Sequence, residues 1–331
     1  MRLATVRRSG ADRLIADAVD GQPFIDVGAA LGDDAVTMGT LIDLQQTARG
    51  DLMRRVRAAP PQCRVGDGER LEWLPPVPQP SKIVGVALNN EVFNHLAARP
   101  MTAPMYFLAP STSMVGHGGA IELCTDWGVV HPEPELAAVI GARVRRASPE
   151  EALAAVFGYT IVNDLTSPGI KSQDSVELVM PPGVPVDEPW RIRRGDDDRS
   201  LYLTYHARSK GSDTFTPIGP WVTLRDDVDD PNALEVRGYL DDELVLQDST
   251  ANLTFPVQEV LAHLSESMTL LPGDIVHFGT AARPAAPERF PTIRSIDLNR
   301  YGARVSVEID GIGRLDNVIE RHGQRSTGEG L

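Results

Sequence analysis

Glu133 and Glu135 stand in HPEPELAAVIG (131–141), and Asp164 follows 29 residues after Glu135 at the end of GYTIVND (158–164). Alternate residues of an extended chain point to one face, so the two glutamates share a side if this segment is a strand. Asp164 closes an apolar run from Tyr159 to Val162 and meets them if the two strands are neighbours. Three carboxylates converging on one point repel one another unless a cation sits between them. An all-oxygen donor set suits Mg²⁺, Mn²⁺ or Ca²⁺ rather than zinc. Solvated glutamates on an edge strand are the alternative.

These residues keep specific company. KIVGVALN (82–89), HPEPELAAVIG, EEALAAVFGYTIVNDLTS (150–167), SKGSDTFTPIGPW (209–221) and LLPGDIVHFGT (270–280) occur in that order. Over roughly 80–318 the chain resembles the fumarylacetoacetate hydrolase family. The resemblance implies that Glu133, Glu135 and Asp164 bind a divalent cation, Mg²⁺ foremost, with Mn²⁺ or Ca²⁺ as alternatives. It also implies that Lys210 lies beside the metal, and that Gly279, Thr280 and Tyr159 join it in binding substrate. The reactions implied are hydrolysis or decarboxylation next to a 1,3-dicarbonyl, or tautomerisation of a keto acid. The leading expectation is a hydrolase cleaving a C–C bond in an acylpyruvate- or fumarylacetoacetate-like diketone. A keto-acid decarboxylase, dehydratase or oxaloacetate tautomerase is the alternative enzyme, and a metal-retaining binding protein the alternative class.

The residue types support such chemistry. A hard cation chelates two neighbouring oxygens and polarises them; Lys210 adds a positive charge where an anion develops. Gly279–Thr280 follow a buried-looking strand, where an N–H and a hydroxyl can hold a carboxylate, or simply end the strand. His95 is the expected general base, with Glu91 one helical turn before it if that segment is a helix. His131 leads the ligand strand, His117 sits in a glycine-rich turn, and His277 alternates with Val276 and Phe278 in a core strand.

Several positions depart from the family pattern. Two extra residues precede His95, and Ala98 stands where a glutamate is expected. Pro168 replaces an arginine that grips substrate, and Ala109 replaces a lysine. From Asp164 to Lys210 is 46 positions, longer than usual, and so long a loop in a compact domain is functional or disordered. The 168–200 insert is therefore expected to supply part of the pocket; either Lys171, Arg191, Arg193 or Arg194 restores the missing charge, or the substrate lacks the carboxylate that the arginine grips.

The elements that must position these residues are legible in outline. The fold expected is α+β but mainly β, a mixed β-sandwich roll. A small N-terminal α+β domain (1–74) ends at PPVPQPSK, the catalytic body covers 80–320, and 321–331 form a tail with nothing to bury. RLATVRR and RLIADAVD read as a hairpin around Gly10; further hairpins turn at Asp241–Asp242 and Asp310–Gly311. Ser148-Pro149-Glu150-Glu151 is a helix start with a capping box, and VQEVLAHLSESM (257–268) carries a helical stripe. Asp274 is expected to fix the turn before IVHFGT.

Bulk properties exclude several classes. At 331 residues with 32 basic and 46 acidic side chains, the formal charge is −14 and no basic cluster can track a phosphate backbone. Nucleic-acid binding is not expected. Cys63 and Cys124 are isolated, which argues against a disulfide framework or thiolate metal site. Neither a signal peptide nor a membrane-length apolar run is read in the sequence, so a cytoplasmic protein is expected; the family resemblance adds a homodimer acting on a small keto acid or diketone.

Overall fold

A computed structural model describes residues 1–17, 23–44, 46–66, 69–184, 195 and 197–323, with the backbone alone at 46 and 47. At its centre is the strand Pro134–Ile140, buried along its whole length. It pairs antiparallel with Val156–Asn163 on one side and with Ile275–Thr280 on the other. Leu136, Ala138 and Ile140 face one core cluster, while Ala137 and Val139 face another. Burial on both faces explains why this segment reads as a continuous apolar run rather than an alternation.

The sheet continues on both sides. Beyond Val156–Asn163 lie Thr216–Leu224, Arg2–Arg8, Ala11–Asp17 and Ile25–Asp26; beyond Ile275–Thr280 lie Ile83–Ala87 and Met105–Ala109. The expected hairpin around Gly10 is present, and it extends this sheet through Leu3 opposite Val222. Helices from the same N-terminal segment, Met38–Asp43 and Gln46–Arg57, send Leu41, Ile42, Met53 and Val56 into the cluster that holds Ala137 and Val139.

A second sheet orders Glu243–Ser249, Glu235–Leu240, Arg304–Ile309, Gly313–His322 and Ala120–Cys124. Its Val236, Val307, Ile309 and Leu315 pack against Leu136, Tyr159 and Ile161 of the first sheet, joined by Val260, Leu261 and Leu264 of the helix Val257–Ser267. The architecture is the expected mainly β sandwich.

Local chemistry sets the connections. Asp241 and Asp242 both take left-handed conformations, φ 50° and 67°, as a two-residue hairpin turn requires. The Ser148 capping box with Glu151 starts the helix Pro149–Ala154. Asp274 accepts from the Leu271 N–H at 2.7 Å and pairs with Lys82, holding the turn that launches Ile275–Thr280. Of the tail, Arg321 and His322 belong to the last strand, and 324–331 lie outside the described residues. Among the described residues no helix is long and apolar enough to cross a membrane.

The long interval before Lys210 is structured where described. Ser167 caps a helix, Pro168–Gln173, and Ser175–Val179 pairs with Ser200–Thr204 as a two-stranded ribbon. Gly169 is needed there, because a Cβ would lie 2.0 Å from the Trp127 carbonyl oxygen.

Candidate metal centre

Register brings the acidic residues together. Glu135 lies opposite Val162 on one neighbour and opposite Thr280 on the other. Asp164 is two residues past Val162, and its N–H donates to the Glu133 carbonyl at 2.9 Å. The Glu133 N–H in turn donates to Asn163 Oδ1 at 3.0 Å. Glu135 and Asp164 are each 1 % exposed, so both carboxylates are cut off from bulk water.

Lys210 enters from the helix Ala207–Gly211. Its ammonium donates to Glu133 Oε2 at 2.9 Å and to Asp164 Oδ2. Thr166 Oγ1 donates to Glu133 Oε1 at 2.7 Å. Burial pushes Glu133 up, but Lys210, His131 and Thr166 outweigh it and hold the carboxyl below its ordinary range. Burial dominates at Asp164 and raises it to about 7, despite Lys210 and His277. Lys210 is raised, because its carboxylate partners overcome the effect of burial.

His277 completes the cluster. Its Nδ1 lies 2.7 Å from Glu135 Oε2, which also accepts from the Gly279 N–H at 2.8 Å. Burial lowers the imidazole, but Glu135 and Asp164 outweigh it and raise His277 overall. Gly85 leaves room for the ring, since a Cβ there would sit 2.5 Å from His277 Cε1. Glu135, Asp164 and His277 each offer a ligand atom within 4.8 Å of the others. Asp164 Oδ1 is buried and, among the described residues, has no hydrogen-bond partner. An unpaired buried carboxylate oxygen costs free energy, and a divalent cation relieves that cost directly. The donor set therefore fits such an ion: Glu135 and Asp164 could hold it through oxygen, with Glu133 bonded to the Lys210 ammonium beside them.

A cleft of about 750 Å³ opens beside these groups. Glu133, Glu135, Lys210 and Thr280 line it, as do Pro168, Lys171, Ser172 and Ser175 from the segment after Asp164. The insert thus contributes to the cleft, while Arg191, Arg193 and Arg194 lie outside the described residues.

The remaining expected site residues fall differently. Gly279 does not line the cleft: φ is 109°, a Cβ would meet Asn89 Cβ at 2.8 Å, and its N–H serves Glu135. Tyr159 is 1 % exposed in the sandwich core rather than in the cleft, because it shares a strand face with the core residue Ile161. The segment Glu91–Leu96 is a helix, as the spacing of Glu91 and His95 allows, but Glu91 pairs with Arg283 and His95 is exposed. Phe93 is the residue of that helix that lines the cleft. The histidines lining it are His131 and His206.

Sequence reasoning missed His206 and the role of His277. His206 had a local signal, since it precedes Lys210 by one helical turn and its carbonyl accepts the Lys210 N–H at 3.1 Å. His277 had none, because its strand reads simply as core.

Known proteins share the family and the fold of this chain. The model of the fumarylacetoacetate (FAA) hydrolase C-terminal region matches residues 82–320. An uncharacterized protein of Archaeoglobus fulgidus is 30% identical over 250 residues, covering 75% of this chain and 81% of its own. A 4-hydroxyphenylacetate degradation bifunctional isomerase/decarboxylase of Salmonella dublin is 32% identical over 227 residues, covering 68% of this chain and 43% of its own. The crystal structure of maleylpyruvate hydrolase from Sphingobium sp. SYK-6, in complex with manganese(II) and pyruvate, superposes with a TM-score of 0.68 at 26% identity, covering 98% of this chain and all of that one. Fumarylacetoacetate hydrolase from Exiguobacterium antarcticum shares the fold, with a TM-score of 0.69 at 24% identity over 97% of this chain and all of its own.

Proposed function

This chain belongs to the fumarylacetoacetate hydrolase family, and from that premise we propose that it is a divalent-metal-dependent enzyme hydrolysing a C–C bond in a 1,3-dicarbonyl substrate. The observation that carries the reading is the cluster of Glu133, Glu135, Asp164 and Lys210 beside an open cleft, with Asp164 Oδ1 buried and unpartnered among the described residues. A bound Mg²⁺ or Mn²⁺ supplies Lewis-acid polarisation of two neighbouring carbonyl oxygens. Glu135 and Asp164 would hold it, with Glu133 beside them as the third expected ligand, and the Gly279 N–H and His277 fix the orientation of Glu135. Lys210 lies against Glu133 and Asp164, where its positive charge would stabilise negative charge developing on substrate oxygens.

Proton transfer falls to His206 rather than His95 in this reading. His206 is exposed like His95 but lines the cleft, and partial burial, Lys171 and Lys210 lower its pKa, so the neutral imidazole is available as a base. Catalysis by His95 requires its helix to turn toward the cleft and Glu91 to leave Arg283. We include a homodimer in the proposal, because the ribbon exposes Val176, Leu178 and Val179 and apolar strands of this kind are normally covered. Light scattering of the purified protein tests that part.

The test of the reaction is a panel of acylpyruvates, fumarylacetoacetate-like diketones and oxaloacetate, assayed with Mg²⁺, Mn²⁺ and EDTA. Hydrolytic turnover that needs the cation is expected. Turnover surviving EDTA refutes the metal chemistry. Decarboxylation or tautomerisation of oxaloacetate without diketone cleavage selects the lyase or isomerase alternative. The exposed position of His95 favours a second reading, a binding protein, which oxalate binding without any turnover selects.

A further inference from the structure

His277 brings nitrogen to a cluster that otherwise offers oxygen. It is fully buried on the strand Ile275–Thr280, opposite Ala137 on one neighbouring strand and Gly85 on the other. Gly85 makes room for the ring: a Cβ there would lie 2.5 Å from His277 Cε1 and nearer still to the Phe107 ring. Phe107 meets the imidazole edge-to-face with centroids 5.6 Å apart, and the Lys210 ammonium lies 5.0 Å from the centre of the same Phe107 ring. Packing therefore fixes the imidazole beside the carboxylates. Its Nδ1 lies 2.7 Å from Glu135 Oε2, while Nε2 is buried and, among the described residues, has no partner. A histidine that only fills space leaves the desolvation of that nitrogen uncompensated. Asp164 Oδ1 is buried without a partner in the same way. A ring nitrogen and the carboxylate oxygens of Glu135 and Asp164 fall within 4.8 Å of one another, a span that one ion bridges.

We propose that His277 is itself a ligand of the metal, so that the centre is a mixed oxygen–nitrogen site that prefers Mn²⁺ or a later first-row divalent ion to Mg²⁺. The inference rests on the proposed metal-dependent function and deepens it by naming the class of ion, whereas the sequence pointed to oxygen donors alone. Imidazole suits first-row transition ions, while Mg²⁺ takes oxygen ligands and keeps several waters. An imidazole binds metal as the neutral ring, so the ion takes the place of a proton. Orienting Glu135 needs only the contact at Nδ1; ligation accounts for a second buried nitrogen as well.

The experiment is pulsed electron paramagnetic resonance of the full chain loaded with Mn²⁺, prepared with natural and with ¹⁵N-labelled histidine. The expected signal carries the nuclear modulation of a directly bound imidazole nitrogen, altered by the label and lost in His277→Gln. His131→Gln and His206→Gln, which remove the two histidines lining the cleft, should keep it. Calorimetric titration of His277→Leu should show Mn²⁺ affinity reduced about 10–100-fold and Mg²⁺ affinity reduced far less. Bound Mn²⁺ without nitrogen modulation, or modulation that survives His277→Gln or vanishes in either other variant, overturns the ligand and leaves the metal-dependent reading standing. An equal loss of both ions in His277→Leu does the same, because a group that only orients Glu135 serves either ion alike. If His277→Gln no longer holds Mn²⁺, the labelled wild type and the other two variants decide the assignment. A wild type that binds neither ion overturns the metal-dependent reading, and the ligand falls with it.

Discussion

Replacing Lys210 by methionine tests the electrostatics of the centre most directly. The ammonium is bonded to Glu133 and Asp164, its side chain is 10% exposed, and that of Asp164 is 1% exposed. Methionine keeps much of the length and removes the charge. Without cation, the carboxylates are then left buried against one another, and removing one partner of a buried pair costs about 3–5 kcal/mol. For 331 residues, an unfolding entropy of roughly 2.1 cal/mol/K per residue converts this to a fall in Tm of about 4–7 °C. A divalent cation at a hundred times its Kd returns about 2.7 kcal/mol. It should bind the variant at least as tightly as the wild type, because it no longer competes with an ammonium. The expected signature is a lower Tm in EDTA and a larger rise with Mn²⁺ than the wild type shows, by scanning calorimetry. Turnover should drop roughly 10²–10³-fold even when the metal is bound. If the variant melts with the wild type in EDTA, or if Mn²⁺ raises both equally, the picture of a lysine standing in for a cation among buried carboxylates is wrong.

Two further outcomes follow from the site. His277→Leu removes one of two donors to Glu135 Oε2 and should weaken Mn²⁺ binding about 10–100-fold, the usual cost of losing a group that orients a metal ligand, with partial recovery in His277→Gln; unchanged affinity by titration assigns His277 to packing alone. His206→Ala should lower kcat about 10²–10⁴-fold, whereas His95→Ala should leave it nearly unchanged. Because the His206 pKa is lowered and the base must be neutral, activity should persist below the ordinary histidine value of about 6.5 and fall only at more acidic pH. A limb at or above that value in the kcat/KM profile counts against His206.

Much of the framework was legible locally. The Ser148 capping box, the Asp241–Asp242 turn and the Gly10 hairpin are each decided within a few residues, because caps and tight turns are bonded and sterically selected by near neighbours. The carboxylates were legible too, since Glu133 and Glu135 open, and Asp164 closes, segments whose apolar character already marks them as buried strands. What surrounds those carboxylates was decided by tertiary structure. His277 reaches Glu135 across 142 residues of sequence because Ile275–Thr280 pairs with Pro134–Ile140 in one particular register, and a one-residue slip would turn it to the other face. The same dependence on sheet faces sent Tyr159 into the sandwich core. Lys171 lines the cleft from the helix that Ser167 caps and whose Gly169 lies against the Trp127 carbonyl, a contact between segments 42 residues apart (169 − 127). Periodicity tells which residues of a strand or helix share a side; which strand lies beside which, and what a helix covers, depends on contacts between distant segments that no local pattern carries.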